Sequence, residues 1–389
     1  MIEFNFDADC CGCGVCAESC PRKCITIQPN DKGFLTPLID TSTCIDCGLC
    51  ERVCPIINVN ESVSKNDLLY CSYHKDNKVR DAGSSGSVFY ALAQFVLSQN
   101  GFVAGAAFVD NLQLRHILVD NMDDLLSLLK SKYIQSNTNG IFRKVKEKLK
   151  LNKYVLFVGT PCQTQALYNY LGRKTYDNLI IVDFICHGVP SQDLFDRCIR
   201  EYERKNQCKV IDFSFRKKSK DFLRNCLISK QLCKSGVIIS ELVNARQFPY
   251  YNGFLKYITF RNSCYNCKFV GNHRISDFTL GDFWGIENKG IVNDFNLGYS
   301  MLYVNTEKGK SILNEIKDVL YLKPYEVDSP YSFNYAYLKP TKRSILNRAF
   351  MWDYNRLSQE KLEKRYFSNF ENYTLIKKII WYLIYKLGI

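Results

Sequence analysis

The chain has no apolar run long enough to cross a membrane. Its opening, Met1 to Asp9, carries acidic residues and lacks the apolar stretch of a secretory signal. A cytoplasmic protein is therefore expected, in a reducing setting where disulfides do not form. Its charge of +13 comes without a nucleic-acid-binding motif, so no nucleic-acid partner is expected. Cysteine, by contrast, is abundant. Nineteen thiols in a reducing compartment call for metal. A length of 389 residues suggests two or three domains, and hydrophobic residues at 46% can fill their cores.

Eight of those cysteines repeat one pattern. Cys10, Cys13, Cys16 and Cys20 precede Pro21, and Cys44, Cys47, Cys50 and Cys54 precede Pro55. C-x2-C-x2-C-x3-C-P is the bacterial-ferredoxin run that holds [4Fe-4S] clusters. Gly12, Gly14 and Gly48 let the backbone turn around a cubane corner. The fourth cysteine of such a run ligates the other cluster. Cys10, Cys13, Cys16 and Cys54 are thus expected at one cluster, and Cys44, Cys47, Cys50 and Cys20 at the other. Zinc or a disulfide framework would use other spacings than two matched quartets. Cys11 fits no register that preserves the spacing. Between the runs, Ile25–Ile27 and Phe34–Ile39 read as strands around an Asn30–Gly33 turn.

The expected architecture is an α/β core domain with an N-terminal ferredoxin-like α+β module and a helical C-terminal extension. Residues 1–58 form the two-cluster ferredoxin domain. A polar linker, Val59 to Asp67, follows, and a domain at 67–305 alternates strands and helices. Strands are expected at Leu68–His74, Phe102–Val109, Leu114–Val119, Tyr154–Val158, Leu179–Ile185 and Gly298–Asn305, with helices at Val88–Gln99 and Gln163–Leu171. Ile228–Leu242 reads as a hairpin. Residues 306–389 form a helical region of unknown role. Its last segment, Leu375–Leu387, gathers apolar residues on one helical face flanked by lysines. That helix would dock on its own protein, on another protein of a complex or on a membrane surface.

Two strands end in cysteine-bearing turns, Gly159-Thr160-Pro161-Cys162 and Cys186-His187-Gly188. In a βαβ unit both turns fall on one sheet edge, where ligands collect. Cys264 and Cys267 add a C-x2-C pair, completing four ligands for a third cluster. Half a zinc site, a redox dithiol or buried core thiols are the alternatives. Cys24, Cys71, Cys198, Cys208, Cys226 and Cys233 read as core or surface cysteines. Ser84, Ser85, Gly86 and Ser87 open a helix and suit a pyrophosphate, or form an ordinary helix cap. Lys132, Tyr133, Gln135 and Ser136 offer a cation, an aromatic face and polar groups, or a surface strand. Gly281 to Gly285 could wall a flat ring or make a core turn. His187 is the weak catalytic candidate.

In this order these segments resemble the coenzyme F420 hydrogenase/dehydrogenase beta-subunit family. The matching pieces are Ser84–Ser87, Ser131–Ser136, Val158–Gln163, Cys186–Ser191, Cys264-x2-Cys267 and Gly281–Gly285. Plant hydroxymethyl-chlorophyll reductases are similar, so the fold is not tied to the deazaflavin F420. The resemblance implies FAD held by Ser84, Ser85, Gly86, Ser87, Lys132, Tyr133, Gln135, Ser136, Gly159 and Thr160. It also implies a third [4Fe-4S] cluster on Cys162, Cys186, Cys264 and Cys267. Ser87 departs from the family, standing where relatives carry a second glycine. The expected function is an iron–sulfur flavoprotein oxidoreductase. It would pass electrons between ferredoxin, deazaflavin F420 or nicotinamide and an acceptor. The rival expectation is an electron-transfer component of a larger redox complex without its own substrate. A cubane on four thiolates carries about −2, so three of them and a flavin dinucleotide would offset much of the +13.

Overall fold

The computed structural model describes residues 2, 6–59, 68–218, 225–286, 295–325 and 334–367. The expected terminal helix and nearly all of the linker lie outside them. The N-terminal module consists of helix α1 (Val15–Ser19), strands β1 (Ile25–Pro29) and β2 (Leu35–Ile39), and helix α2 (Leu49–Val53). The strands form an antiparallel pair around the expected turn, and Asn30 accepts from the Lys32 and Phe34 amides through its side chain. Each helix starts at a left-handed glycine, Gly14 (φ 73°) or Gly48 (φ 68°), inside a cysteine run. The two halves thus repeat one local design.

The body is built on eight strands in the order β13-β3-β12-β11-β7-β6-β4-β5. In chain order these are β3 (Leu68–His74), β4 (Phe102–Val109), β5 (Gln113–Val119), β6 (Val155–Gly159), β7 (Leu179–Phe184), β11 (Phe278–Asp282), β12 (Ser300–Val304) and β13 (Leu320–Pro324). β4, β6, β7 and β11 run parallel, and the outer pairings are antiparallel. Helices α3 (Asn77–Ala82), α4 (Val88–Ser98), α5 (Met122–Leu128), α6 (Ile141–Lys150), α7 (Pro161–Tyr170) and α8 (Gln192–Asn206) are interleaved. α4 and α5 cover one face. α6 and α7 cover the other, where Val15 and Val53 of the N-terminal module join the same apolar cluster. Burial of each such Val, Leu or Phe contributes about 1.5–3 kcal/mol.

Between β7 and β11 a smaller antiparallel sheet branches off: β8 (Cys208–Ser214), β9 (Asn225–Leu232) and β10 (Ile238–Asn244). The last two are the expected hairpin, and α9 (Pro249–Leu255) follows them. Beyond β12 come α10 (Glu307–Ile316), α11 (Asn347–Asp353) and α12 (Gln359–Leu362). The C-terminal region is not purely helical, because β13 pairs with β3 and extends the large sheet past residue 305. Its Leu320-Tyr321-Leu322 sequence supplies branched and aromatic residues to an open strand edge. Among the described residues no helix is long and apolar enough to cross a membrane.

Candidate functional site

The eight cysteines of the paired runs fall into two groups. Cys20, Cys44, Cys47 and Cys50 line one recess, partly open to solvent. Cys47 is exposed there. Cys10, Cys13, Cys16 and Cys54 are buried deeper. Burial pushes the Cys16 thiol far up, and its nearest like charges are Cys10 and Cys54. Cys13 in turn faces Cys16 and Cys54. The grouping follows the crossed pattern, with the fourth cysteine of each run on the other side. Cys24 is a fifth thiol at the outer recess, with its Sγ 3.2 Å from that of Cys20. Sequence alone gives Cys24 no such place. The turn through Lys23 (φ 53°) folds it back toward the recess.

A third group forms in the body. β6 ends at Gly159 directly beside Asp183 of parallel β7, so the two following loops emerge together. Cys162 lies in the first turn of α7, whose start is closed by a Thr160–Gln163 capping box. Cys186 follows β7, and Cys264 and Cys267 come from the 3₁₀ segment Asn262–Asn266 and its end. Cys186 is pushed well up by burial and then by Cys264, Cys162 and Cys267. Burial followed by Cys267 takes Cys264 to about 12, and burial followed by Cys162 takes Cys267 to about 11. Mutual repulsion of this kind makes four thiolates untenable without a positive core among them. Among the described residues, no three His, Cys, Asp or Glu side chains close on a space fit for a single ion.

The inner and body groups meet. Cys11, in no quartet, lies between Cys13 and Cys162, and both act on its thiol. Around this contact the module is clamped to the body. Thr138 donates to the Cys13 carbonyl at 2.6 Å, Ser263 to that of Cys10 at 2.9 Å and Arg261 also to Cys10. Gln135 accepts from the Leu35 amide at 3.0 Å and donates to the Cys11 carbonyl at 3.4 Å. Glu18 of α1 accepts from the Gly140 and Arg143 amides at the start of α6. Gly12 (φ 68°) has Gln135, Leu35 and Arg261 where a Cβ would go.

The residues expected to hold FAD divide between two places. Ser84 accepts from the Ser131 amide at 2.7 Å, which brings the Ser84–Ser87 loop beside Lys132. Ser85 donates to the Tyr299 carbonyl, and Ser87 (φ 62°) turns its hydroxyl back to Val79. These two hydroxyls therefore fix the loop. Lys218 bonds the Ser85 and Leu297 carbonyls at 2.7 Å each. Burial, then Arg216 and Arg80, lowers the Lys218 amine to about 7. Lys132 is also taken to about 7, by burial and then Lys130. Tyr133 stacks among Tyr251, Phe254 and Phe215.

Gln135, Ser136, Gly159 and Thr160 lie instead around Cys162 and the module. Ser136 bonds His116 Nδ1 and accepts from Gln163, both at 2.9 Å, while Thr160 caps α7. The His187 ring lies parallel to that of Tyr257, 6.3 Å away, and burial lowers its pKa. Of the aromatics after β11, Phe283 is in the core and Trp284 is 40% exposed. Sequence reasoning misses Lys218, Arg216 and Arg261. A basic run, Arg216 to Lys218, is the signal for two of them. For Arg261 only its place three residues before Cys264 could have served.

Residues 152–329 match the family described as the C terminus of the coenzyme F420 hydrogenase/dehydrogenase beta subunit, and residues 9–57 match a 4Fe-4S dicluster domain. Ser84–Ser87 and Lys132 lie outside both stretches. A coenzyme F420-dependent sulfite reductase of Methanocaldococcus jannaschii is 26% identical over 329 residues, covering 82% of this chain and 48% of the relative. A subunit of the F(420)H(2) dehydrogenase of Methanosarcina mazei is 23% identical over 222 residues, covering 54% of this chain and 62% of the relative. The chain thus matches about half to three fifths of the length of these curated relatives. A solved structure titled for the F420-reducing [NiFe] hydrogenase complex of Methanosarcina barkeri has 16% identity and a TM-score of 0.45. It covers 78% of this chain and 93% of its own. That likeness is too loose to carry an argument.

The dicluster match defines the class, an iron–sulfur protein, and the curated relatives it resembles are named as a reductase and a dehydrogenase subunit. Within it, residues 152–329 are similar to the C terminus of the coenzyme F420 hydrogenase/dehydrogenase beta subunit.

Proposed function

We propose that this protein passes electrons between a two-electron carrier and a one-electron carrier, through three [4Fe-4S] clusters and FAD. The observation that supports this reading is the clamp of body residues Thr138, Gln135 and Ser263 on the Cys13, Cys11 and Cys10 carbonyls, beside the turn that carries Cys264. Cys20, Cys44, Cys47 and Cys50 would hold the outer cluster, Cys10, Cys13, Cys16 and Cys54 the inner one. Cys162, Cys186, Cys264 and Cys267 would hold the third. The exposed Cys47 makes the outer recess the docking end for a ferredoxin-type partner.

When bound, a flavin supplies the exchange between hydride transfer and single-electron transfer. Here the chain's own groups would position it. Ser84–Ser87 offer a turn at the start of α4, and Lys132 and Lys218 bring cationic charge to a pyrophosphate. Tyr133 gives an aromatic wall. The two-electron carrier would be F420 or nicotinamide, in a cytoplasmic setting. The names of both curated relatives favour F420.

A second reading, an electron-transfer component of a larger complex without its own substrate, is favoured by one observation. The chain spans only part of its relatives, one of which is itself a subunit. Anaerobic purification with iron and flavin measured together tests the first reading. One FAD and about 12 irons per chain are expected. About 8 irons would remove the body cluster, and absence of flavin after gentle handling would remove the flavin reading. Cys54→Ser is expected to damage the cluster held by Cys10, Cys13 and Cys16. Damage confined to the Cys44–Cys50 side would refute the crossed assignment.

A further inference from the structure

Four arginines are buried among the described residues: Arg80, Arg216, Arg261 and Arg274. Arg216 pairs with Asp282 at 2.8 Å and Arg274 with Asp183 at 3.3 Å. The Arg80 guanidinium lies 4.0 Å over the Tyr73 ring. Arg261 is the one of these four whose side chain reaches a cysteine-run backbone. It is 2% exposed, and its guanidinium donates to the Cys10 carbonyl, to the Leu35 carbonyl at 2.9 Å and to Gln135 Oε1 at 3.4 Å. Phe34 lies 5.6 Å from it. All of these acceptors are neutral. Asp7 lines a small cavity beside it and accepts a hydrogen bond from Asn30 at 2.8 Å.

A guanidinium held out of water by neutral groups is strongly disfavoured. Its position supplies the missing term. Arg261 belongs to the body, three residues before Cys264, yet its side chain reaches into the N-terminal module as far as Cys10. Its side chain bonds the Cys10 carbonyl, and its own carbonyl accepts from the Cys264 amide at 3.1 Å. Those two residues belong to different quartets, one inner and one body. The basic group lining the outer recess, Arg22, is exposed and screened by water.

We propose that Arg261 is the shared counter-charge of the inner and body clusters, and that it raises the reduction potential of both above that of the outer cluster. The inference rests on the reading that the three quartets hold clusters. A reduced cluster carries one more negative charge than an oxidised one, so a buried cation nearby favours reduction. Electrons entering at the exposed outer site would be drawn inward toward the body. Arg261 acts through the clusters and touches no substrate, so it is a positioning residue.

The test uses the full chain, purified anaerobically, with iron counted and each cluster followed by EPR during a redox titration. The outer signal is identified as the one missing in Cys47→Ser. In Arg261→Met, two signals are expected to move to more negative potential while the outer one stays in place and iron is retained. Arg261→Lys keeps the charge and loses the forked hydrogen bonds, so its potentials are expected to stay near those of the unaltered protein. Three equal shifts, or none with iron intact, would overturn the proposal. So would Arg261→Lys potentials as low as those of Arg261→Met, which would assign the effect to hydrogen bonds. If Arg261→Met fails to assemble, the lysine variant decides alone: a fall in its inner and body potentials sinks the idea, and their retention upholds it. About 8 irons in the unaltered protein would instead mark failure of the three-cluster reading.

Discussion

In the N-terminal module, both quartets come from one stretch, Cys10 to Cys54, wrapped around two short helices that start at matched glycines. In the body, four cysteines arrive from three loops between residues 162 and 267, each placed by a different strand or turn. The first geometry is local and needs little beyond its own turns. The second exists only when β6, β7 and the segment after α9 are all in place. Damage to the body's packing should therefore empty the body site before it reaches the module.

The largest expected effect comes from Asp183→Ala. Asp183 and Arg274 form an ion pair in which both side chains are at most 2% exposed, next to the β6–β7 edge. Removing one partner leaves a buried charge and is expected to cost about 3–5 kcal/mol in denaturant unfolding. If the comparison holds, iron falls from about 12 toward about 8 while the outer and inner signals persist. Loss of all three together would break it.

Acid separates the two regions next. Burial lowers His116 to about 4 from an ordinary 6.5, so it is neutral in the fold. As pH falls below 6.5 the unfolded chain takes up a proton that the folded body refuses. Stability should drop by about 3 kcal/mol between pH 6.5 and 4, and no further below that. Unfolding monitored across that range should show a slope, and His116→Gln should flatten it.

Gly188→Ala comes third. Gly188 has φ 131°, and a Cβ there would meet the Phe260 ring, with Cγ at 2.8 Å and Cε2 at 2.9 Å. About 1–3 kcal/mol is expected from strain and overpacking, read as a lower melting temperature with selective loss of the body cluster.

The smallest effect concerns the proposed flavin site. Lys132 and Lys218 sit near 7, so an anionic cofactor must restore their charge at higher pH. Affinity for FAD should fall above pH 7 by up to about tenfold per pH unit for each lysine. Titration of the apoprotein with FAD would show this, and Lys132→Met should shorten the fall.

The same contrast governs how much of the molecule is legible in its sequence. Cysteine spacing carries the outer and inner groups because their ligands are neighbours along the chain. The closeness of the Cys162 and Cys186 loops is legible, since both follow apolar strands of one βαβ unit, while spacing alone does not tie Cys264 and Cys267 to them. The proposed flavin site is legible only in part. Gln135 looks like a cofactor ligand but holds Leu35 and Cys11, a long-range contact no local pattern encodes. Lys218 and Arg216 come from the end of β8, and Lys218 acts on a loop more than a hundred residues earlier. β13 escapes detection because five residues inside a helical stretch reveal nothing of the strand edge awaiting them.

That strand edge bears on how the protein is made. β3 is the first strand of the large sheet to leave the ribosome, and both its neighbours, β12 and β13, are the last. At ordinary synthesis rates the interval is on the order of tens of seconds. Throughout it, β3 is an apolar segment with two unsatisfied edges, while the cysteine runs ahead of it are already free to accept metal. The N-terminal module, whose strands and helices pair locally, can thus close before the central sheet does.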